Sequence, residues 1–281
     1  DLGGDQDISN INYFNLTVSG ASGTKTASAD LDIDGDVTLS GGCTFDPGTT
    51  DGHNVAGDWL ENGTAVFLPT DGTFILSGNG TNITTIAGSN FFDLTIGANT
   101  KTAQSDLDID GVLTVTGTLA MAANSADVAG ITDIDGILSL TTGTFTANGT
   151  TDVDGAGTLS IGGTGTYNAV GQFTSTGNVT FAGAGNLVCS NTADNTFGTL
   201  TSTLGKVTFD ATTGTQALPD ETFHDLTVNN ADDLTMANGV QVDGALTFTN
   251  GNITTGANTL TIGTLGTISN ATDAAHVNVS D

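Results

Sequence analysis

Apolar and polar residues alternate along this chain in short bursts, and the bursts recur. The phrase is an apolar residue, then Thr or Ser, then another apolar residue. It appears as Leu16-Thr17-Val18, Val37-Thr38-Leu39, Leu94-Thr95-Ile96, Leu113-Thr114-Val115 and Leu159-Ser160-Ile161, and continues to Leu260-Thr261-Ile262. Alternation of this kind puts one set of side chains on each face of a strand. Gly and Asn follow most phrases and supply turns. A second short strand then begins, as in "LTVTGTLAM" and "LTFTNGNITT". Intervals between phrases fall repeatedly at 19 to 21 residues. Short strands with Gly/Asn corners at such a period predict an all-β chain, a parallel β-solenoid (β-helix) with about 20–22 residues per coil. One coil cannot bury its inner face alone, so stacking supplies the core.

A longer repeat lies above the short one. Residues 14–45 match residues 92–121, and 223–253 form a looser third copy. The expectation is a single continuous solenoid over 1–281, with internal modules at approximately 1–79, 80–212 and 213–281. Residues 46–75 interrupt the rhythm with Pro47, His53, Trp59, Glu61 and Pro69. They read as an irregular insertion or enlarged coil, with a binding surface around Trp59 as the alternative.

Several phrases resemble the repeats of very large secreted bacterial surface proteins of the haemagglutinin or adhesin-like β-helix type. These are Gly57-Asp58-Trp59, Gly214-Thr215-Gln216, and the aromatic-led runs Phe91 to Ile96 and Phe223 to Val228. The resemblance implies a β-helical fold and a cell-surface location. It brings no catalytic residues.

Charge narrows the function. The chain has 31 acidic residues against three lysines and no arginine, for a net charge of −28. Nothing here neutralises phosphates, which argues against nucleic acid. The same charge repels an anionic membrane surface, and no apolar run reaches the ~20 residues of a membrane helix. The opening DLGGDQDISN lacks the basic start and apolar stretch of a signal peptide, so a mature protein or a segment of a longer one is expected. Extreme acidity with three tryptic sites suits an extracellular or cell-surface protein.

The sharpest chemical motif is Asp-x-Asp-x-Asp-Gly, at Asp30, Asp32, Asp34 and at Asp106, Asp108, Asp110. Shorter versions hold Asp133 and Asp135, and Asp152 and Asp154. It resembles the start of an EF-hand loop, but Gly41 or Gly117 stands where the bidentate Glu belongs. The apolar residues between the acids read instead as a strand with Asp outward. Such strands in neighbouring coils would bring carboxylates within ~5 Å of each other. Like charges that close raise one another's pKa or recruit a cation, and Ca²⁺ suits oxygen ligands in flexible geometry. These ten aspartates are the candidate calcium ligands. The competing reading is a solvated acidic face.

Other chemistry is thin. Thr-x-Thr phrases are too irregular for an ice-binding ladder. Cys43 and Cys189 stand about seven coils apart, too far for a disulfide within the chain, so both are expected as buried free thiols, with an intermolecular bridge as the alternative. His53, His224 and His276 have no metal-ligand spacing. No nucleophile motif or P-loop is present, and the chain is expected not to be an enzyme. A polysaccharide-acting β-helix enzyme is the remote alternative. Asn-x-Thr/Ser phrases, such as those at Asn15, Asn62 and Asn252, permit glycosylation. Neither terminus reads as a cap, so the terminal strands, roughly Ile8 to Val18 and Leu260 to Val279, are expected to pair onward. The expected function is a structural subunit of an extracellular fibre, surface layer or matrix, self-assembling head to tail. Surface glycans or other matrix components are further candidate partners. The alternative is the stalk of a large adhesin.

Overall fold

A computed structural model describes residues 4–48, 52–79 and 82–279. Alternation becomes strand throughout. The described residues hold no helix, and the strands form parallel sheets stacked as a β-solenoid of about 13 turns, roughly 20 residues each. The chain divides into two units, Asp1–Ser139 and Leu140–Asp281.

Most turns contribute three short strands, one to each of three sheets. In the first unit Leu107–Ile109, Leu113–Val115 and Thr118–Ala122 make one turn. Ala126–Val128 then returns beside Leu107–Ile109, with Leu107 opposite Ala126 and Ile109 opposite Val128. In the second unit Lys206–Phe209, Gln216–Leu218 and Thr222–Phe223 do the same, and Asp225–Asn229 pairs back on Lys206–Phe209. Because the register is kept, inward positions stack on inward positions. Leu94 lies opposite Leu113, and Ile96 opposite Val115, which is opposite Ile134. A one-residue slip would turn the whole apolar set outward, so burial holds the register.

Each unit carries a column of aromatic rings. In the first, Trp59 contacts Phe67, Phe74 and Phe91 at centroid distances of 4.8, 5.2 and 5.2 Å. In the second, Phe145 stacks on Tyr167 at 5.1 Å, and Phe173, Phe197, Phe209 and Phe223 continue the series.

The segment 46–75, expected as an irregular insertion or an enlarged coil, carries regular strands over its described residues. His53–Val55, Trp59–Glu61, Val66–Phe67 and Thr73–Leu76 all pair in parallel. Val55 lies opposite both Ile33 and Leu76, and Trp59 opposite both Val37 and Ile83. Residues 49–51 lie outside the described residues. The rhythm looked broken because this stretch fills its interior with large rings in place of Leu and Val. Trp59 is fully buried, so it offers no binding surface.

The long repeat does not keep to one sheet. Leu16–Gly20 of the first copy runs beside Val37–Gly41. Its counterpart Asp93–Ile96 runs beside Thr73–Leu76, in the sheet that also holds Asp32–Ile33. The spacing from Leu16 to Leu94 is not a whole number of turns, so equivalent phrases occupy different sheets.

The Asp-Gly corners as candidate functional site

The acids of both long motifs alternate with core residues. Leu31, Ile33, Leu107 and Ile109 are buried, while Asp30, Asp32, Asp34, Asp106, Asp108 and Asp110 are exposed. Strands Asp32–Ile33 and Leu107–Ile109 take the place of any EF-hand loop.

Not every acid of the motif faces another acid across the turns. Asp32 lies between Asn12 and Asn54, and Asn54 Nδ2 donates to its Oδ1 at 3.0 Å. Asp108 does face a carboxylate, Asp127 of the next turn. Burial, then the charges of Asp110 and Asp127, raises the Asp108 pKa. Such a pair can share a proton or attract a cation. Asp110 accepts from the Asn90 amide, and Asp106 Oδ1 accepts from Ser125 N–H at 2.7 Å. Asp133 lies opposite Thr114, and Asp135 N–H donates to Val115 O. In the second unit Asp152 Oδ1 accepts from Thr174 Oγ1 at 3.1 Å, and Asp154 is exposed. Asp30 raises the His53 pKa against the larger effect of burial, and Asp34 lines a shallow cavity with Asp36, Gly57 and Asp58.

The corners reveal a different use of acidic and amide side chains. Asn15 Oδ1 accepts from Asp36 N–H at 2.8 Å, and Asp36 Oδ1 accepts from Asp58 N–H at 2.8 Å. Asp58 in turn receives both the N–H and the amide of Asn82, each at 3.0 Å. Asp93 Oδ1 accepts from Val112 N–H at 2.6 Å. In the second unit Asp225 Oδ1 accepts from Ala245 N–H at 2.6 Å, and Asp233 Oδ1 from Asn252 N–H at 2.8 Å. Each side chain reaches the backbone of the adjacent turn, satisfying a corner N–H that no sheet partner meets.

This clamp explains the glycine of the two long motifs. A Cβ on Gly111 would collide with Asp93 Oδ1, and one on Gly35 with Asn15 Oδ1; Gly244 stands in the same relation to Asp225. The Asx of the aromatic-led phrase and the Gly of Asp-Gly are thus two halves of one contact across a turn. Their separations in sequence are 20, 18 and 19 residues, from 15 to 35, 93 to 111 and 225 to 244. That near-constant spacing was the available signal.

Sequence reasoning also missed the buried polar groups. Glu61 Oε1 accepts from Trp59 Nε1 at 2.9 Å and Oε2 from Ile86 N–H at 3.1 Å, while burial raises its pKa. Lys101 is fully buried with Nζ 3.1 Å from Gly78 O, and burial lowers its pKa despite Asp58. Gln216 of the Gly-Thr-Gln phrase is buried and fully used. Its Nε2 donates to Cys189 O at 2.8 Å and Asn191 O at 2.7 Å, and its Oε1 accepts from Ala211 N–H and Asn230 Nδ2. Cys43 and Cys189 are buried free thiols, and burial pushes the Cys189 pKa up. In the second unit Asp220, Glu221, Thr222 and Gln241 line an open groove, where burial and Asp220 raise the Glu221 pKa.

Fold and corners together define a class: a parallel β-solenoid with three strands per turn, whose acidic and amide side chains clamp turn to turn. No protein-family model, curated protein or solved structure matches the chain.

Proposed function

We propose that this chain is a structural subunit of an extracellular fibre, surface layer or matrix, joined end to end by strand pairing between copies. The observation carrying this reading is the free edges of the outermost described strands. Leu16–Gly20 pairs with Val37–Gly41 on one side and with no described strand on the other. Leu260–Ile262, Thr267–Ser269 and Val277–Asn278 likewise stand last in their sheets. Apolar side chains lie exposed beside these edges: Ile11 and Phe14 in the first unit, Leu265, Ile268 and Val279 in the second. Unpaired edges template further pairing, and head-to-tail contacts between unlike edges propagate. The scarcity of Lys and Arg supports an exposed, protease-facing location. The same edges accept further turns of one longer chain, which is the adhesin-stalk reading.

Calcium between stacked acids such as Asp108 and Asp127 is a second element of the proposal, tested separately. A charge of −28 opposes association until it is screened. Sedimentation velocity across protein concentration should therefore show growing oligomers as sodium chloride is raised. Calcium at equal ionic strength should add to that growth, and a chelator should reverse the addition. A monomer at every concentration and salt level contradicts the self-assembly proposal. Assembly that calcium leaves unchanged removes the ion and keeps the fibre.

A further inference from the structure

Four Asn-Gly pairs lie wholly within the described residues, beginning at Asn62, Asn148, Asn238 and Asn250. Asn-Gly is the pair most open to attack by its own backbone, because Gly leaves the following nitrogen unhindered. The attack needs an untethered amide side chain, a following N–H without a partner, and open space around the two. The four pairs differ in exposure and in strand pairing.

Asn62 and Gly63 are exposed at a turn tip. The turn is pinned on both sides: Asn62 N–H donates to Leu39 O at 2.8 Å, and Thr64 N–H to Gly41 O at 2.9 Å. Between these pins neither the Asn62 side chain nor Gly63 N–H has a partner among the described residues. Asn238 and Gly239 are also exposed, directly after Leu234–Met236, and the Asn238 side chain and Gly239 N–H are equally without partners among the described residues. Asn250, by contrast, ends the strand Ala245–Asn250 and lies opposite Asn229 in the sheet. Its Gly251 is buried, with Asn230 O against the space a side chain would take. Asn148 has a partner of its own.

We propose that Asn62-Gly63 and Asn238-Gly239 are sites of spontaneous covalent modification in the folded protein. Gly63 N attacks Asn62 Cγ, and the new N–C bond closes a five-membered imide. The Gly63 amide proton leaves with the side-chain nitrogen as ammonia. Water then opens the imide at either carbonyl, giving Asp or isoaspartate and one further negative charge. Asn238 follows the same course. No oxidant, metal or second protein takes part. Asn250 must first leave its strand pairing, and the loss of about one hydrogen bond corresponds to a rate lower by roughly tenfold.

The test is incubation of the full chain at mildly alkaline pH, followed by peptide mass mapping and isoaspartate detection over time. Residues 62 and 238 should convert first, each roughly tenfold faster than 250. In urea, with the fold removed, the four sites should converge to similar rates. Asn62→Gln should abolish conversion at its own position and leave 238 unchanged. The proposal is overturned if 250 converts as fast as 62 and 238 in the folded chain, or if the folded order persists in urea.

Discussion

His53 illustrates how a single buried group ties this fold to pH. Its Nδ1 accepts the Leu31 N–H at 3.2 Å, and its ring stacks on Phe74 at 4.6 Å. Accepting that bond requires the neutral ring. Burial lowers the His53 pKa below its ordinary 6.5; the charge of Asp30 and a backbone bond to Pro47 oppose this less strongly. Between the lowered folded value and 6.5, the unfolded chain binds a proton that the folded chain refuses. His53 therefore contributes stability above pH 6.5 that is lost as pH falls through the folded value. Urea midpoints measured from about pH 7.5 down to about pH 5 should fall more steeply in the parent than in His53→Leu. The variant should be less stable at neutral pH, because Leu31 N–H is left without an acceptor. Parallel pH profiles for the two would remove His53 from the account. Clamping residues act differently: each carboxylate accepting a backbone N–H contributes about 1–3 kcal/mol, and many such contacts recur along the chain.

The turn is the element, and its corner sets what each position tolerates. Gly111 and Asp93 belong to adjacent turns but occupy one space. Gly111→Ala should cost about 2–4 kcal/mol, as the new methyl displaces the clamp. Asp93→Ala should cost about 1–3 kcal/mol. Together they should cost less than the sum by at least about 1 kcal/mol, because the second change vacates the space the first one needs. Denaturant unfolding of the four proteins in this cycle checks it; simple additivity would show that the two residues do not compete. The strands themselves were legible in sequence. Leu31, Ile33, Leu107 and Ile109 alternate with acids, and that pattern alone sets inside against outside. The clamps were not legible, because Asp93 meets Val112 a full turn away and nothing local marks the pair. Trp59, Phe67 and Phe74 misled for a related reason: large rings among Pro and His imitate a loop, although each ring points inward. Lys101 was unreadable as a buried group, since its Nζ meets backbone oxygen, which carries no residue identity; Glu61 was readable only in part, since Trp59 lies two residues away but Ile86 N–H lies a full turn away.

At the scale of the whole molecule, a parallel solenoid leaves its stacking direction open. Every turn both rests on a neighbour and offers an edge for the next, so one geometry serves growth within a chain and growth between chains. The acidic side chains that bond turn to turn leave many carboxylates outside, and the resulting charge makes assembly depend on screening. Cryo-electron microscopy of the purified chain, at moderate salt with and without calcium, decides whether copies join end to end. Ordered filaments are expected, in which the last turn of one copy lies beside the first turn of the next at about 4.8 Å, the ordinary spacing of paired strands. Single particles with bare terminal edges at every concentration and salt level would contradict end-to-end joining, and would leave the chain a spacer within a longer protein.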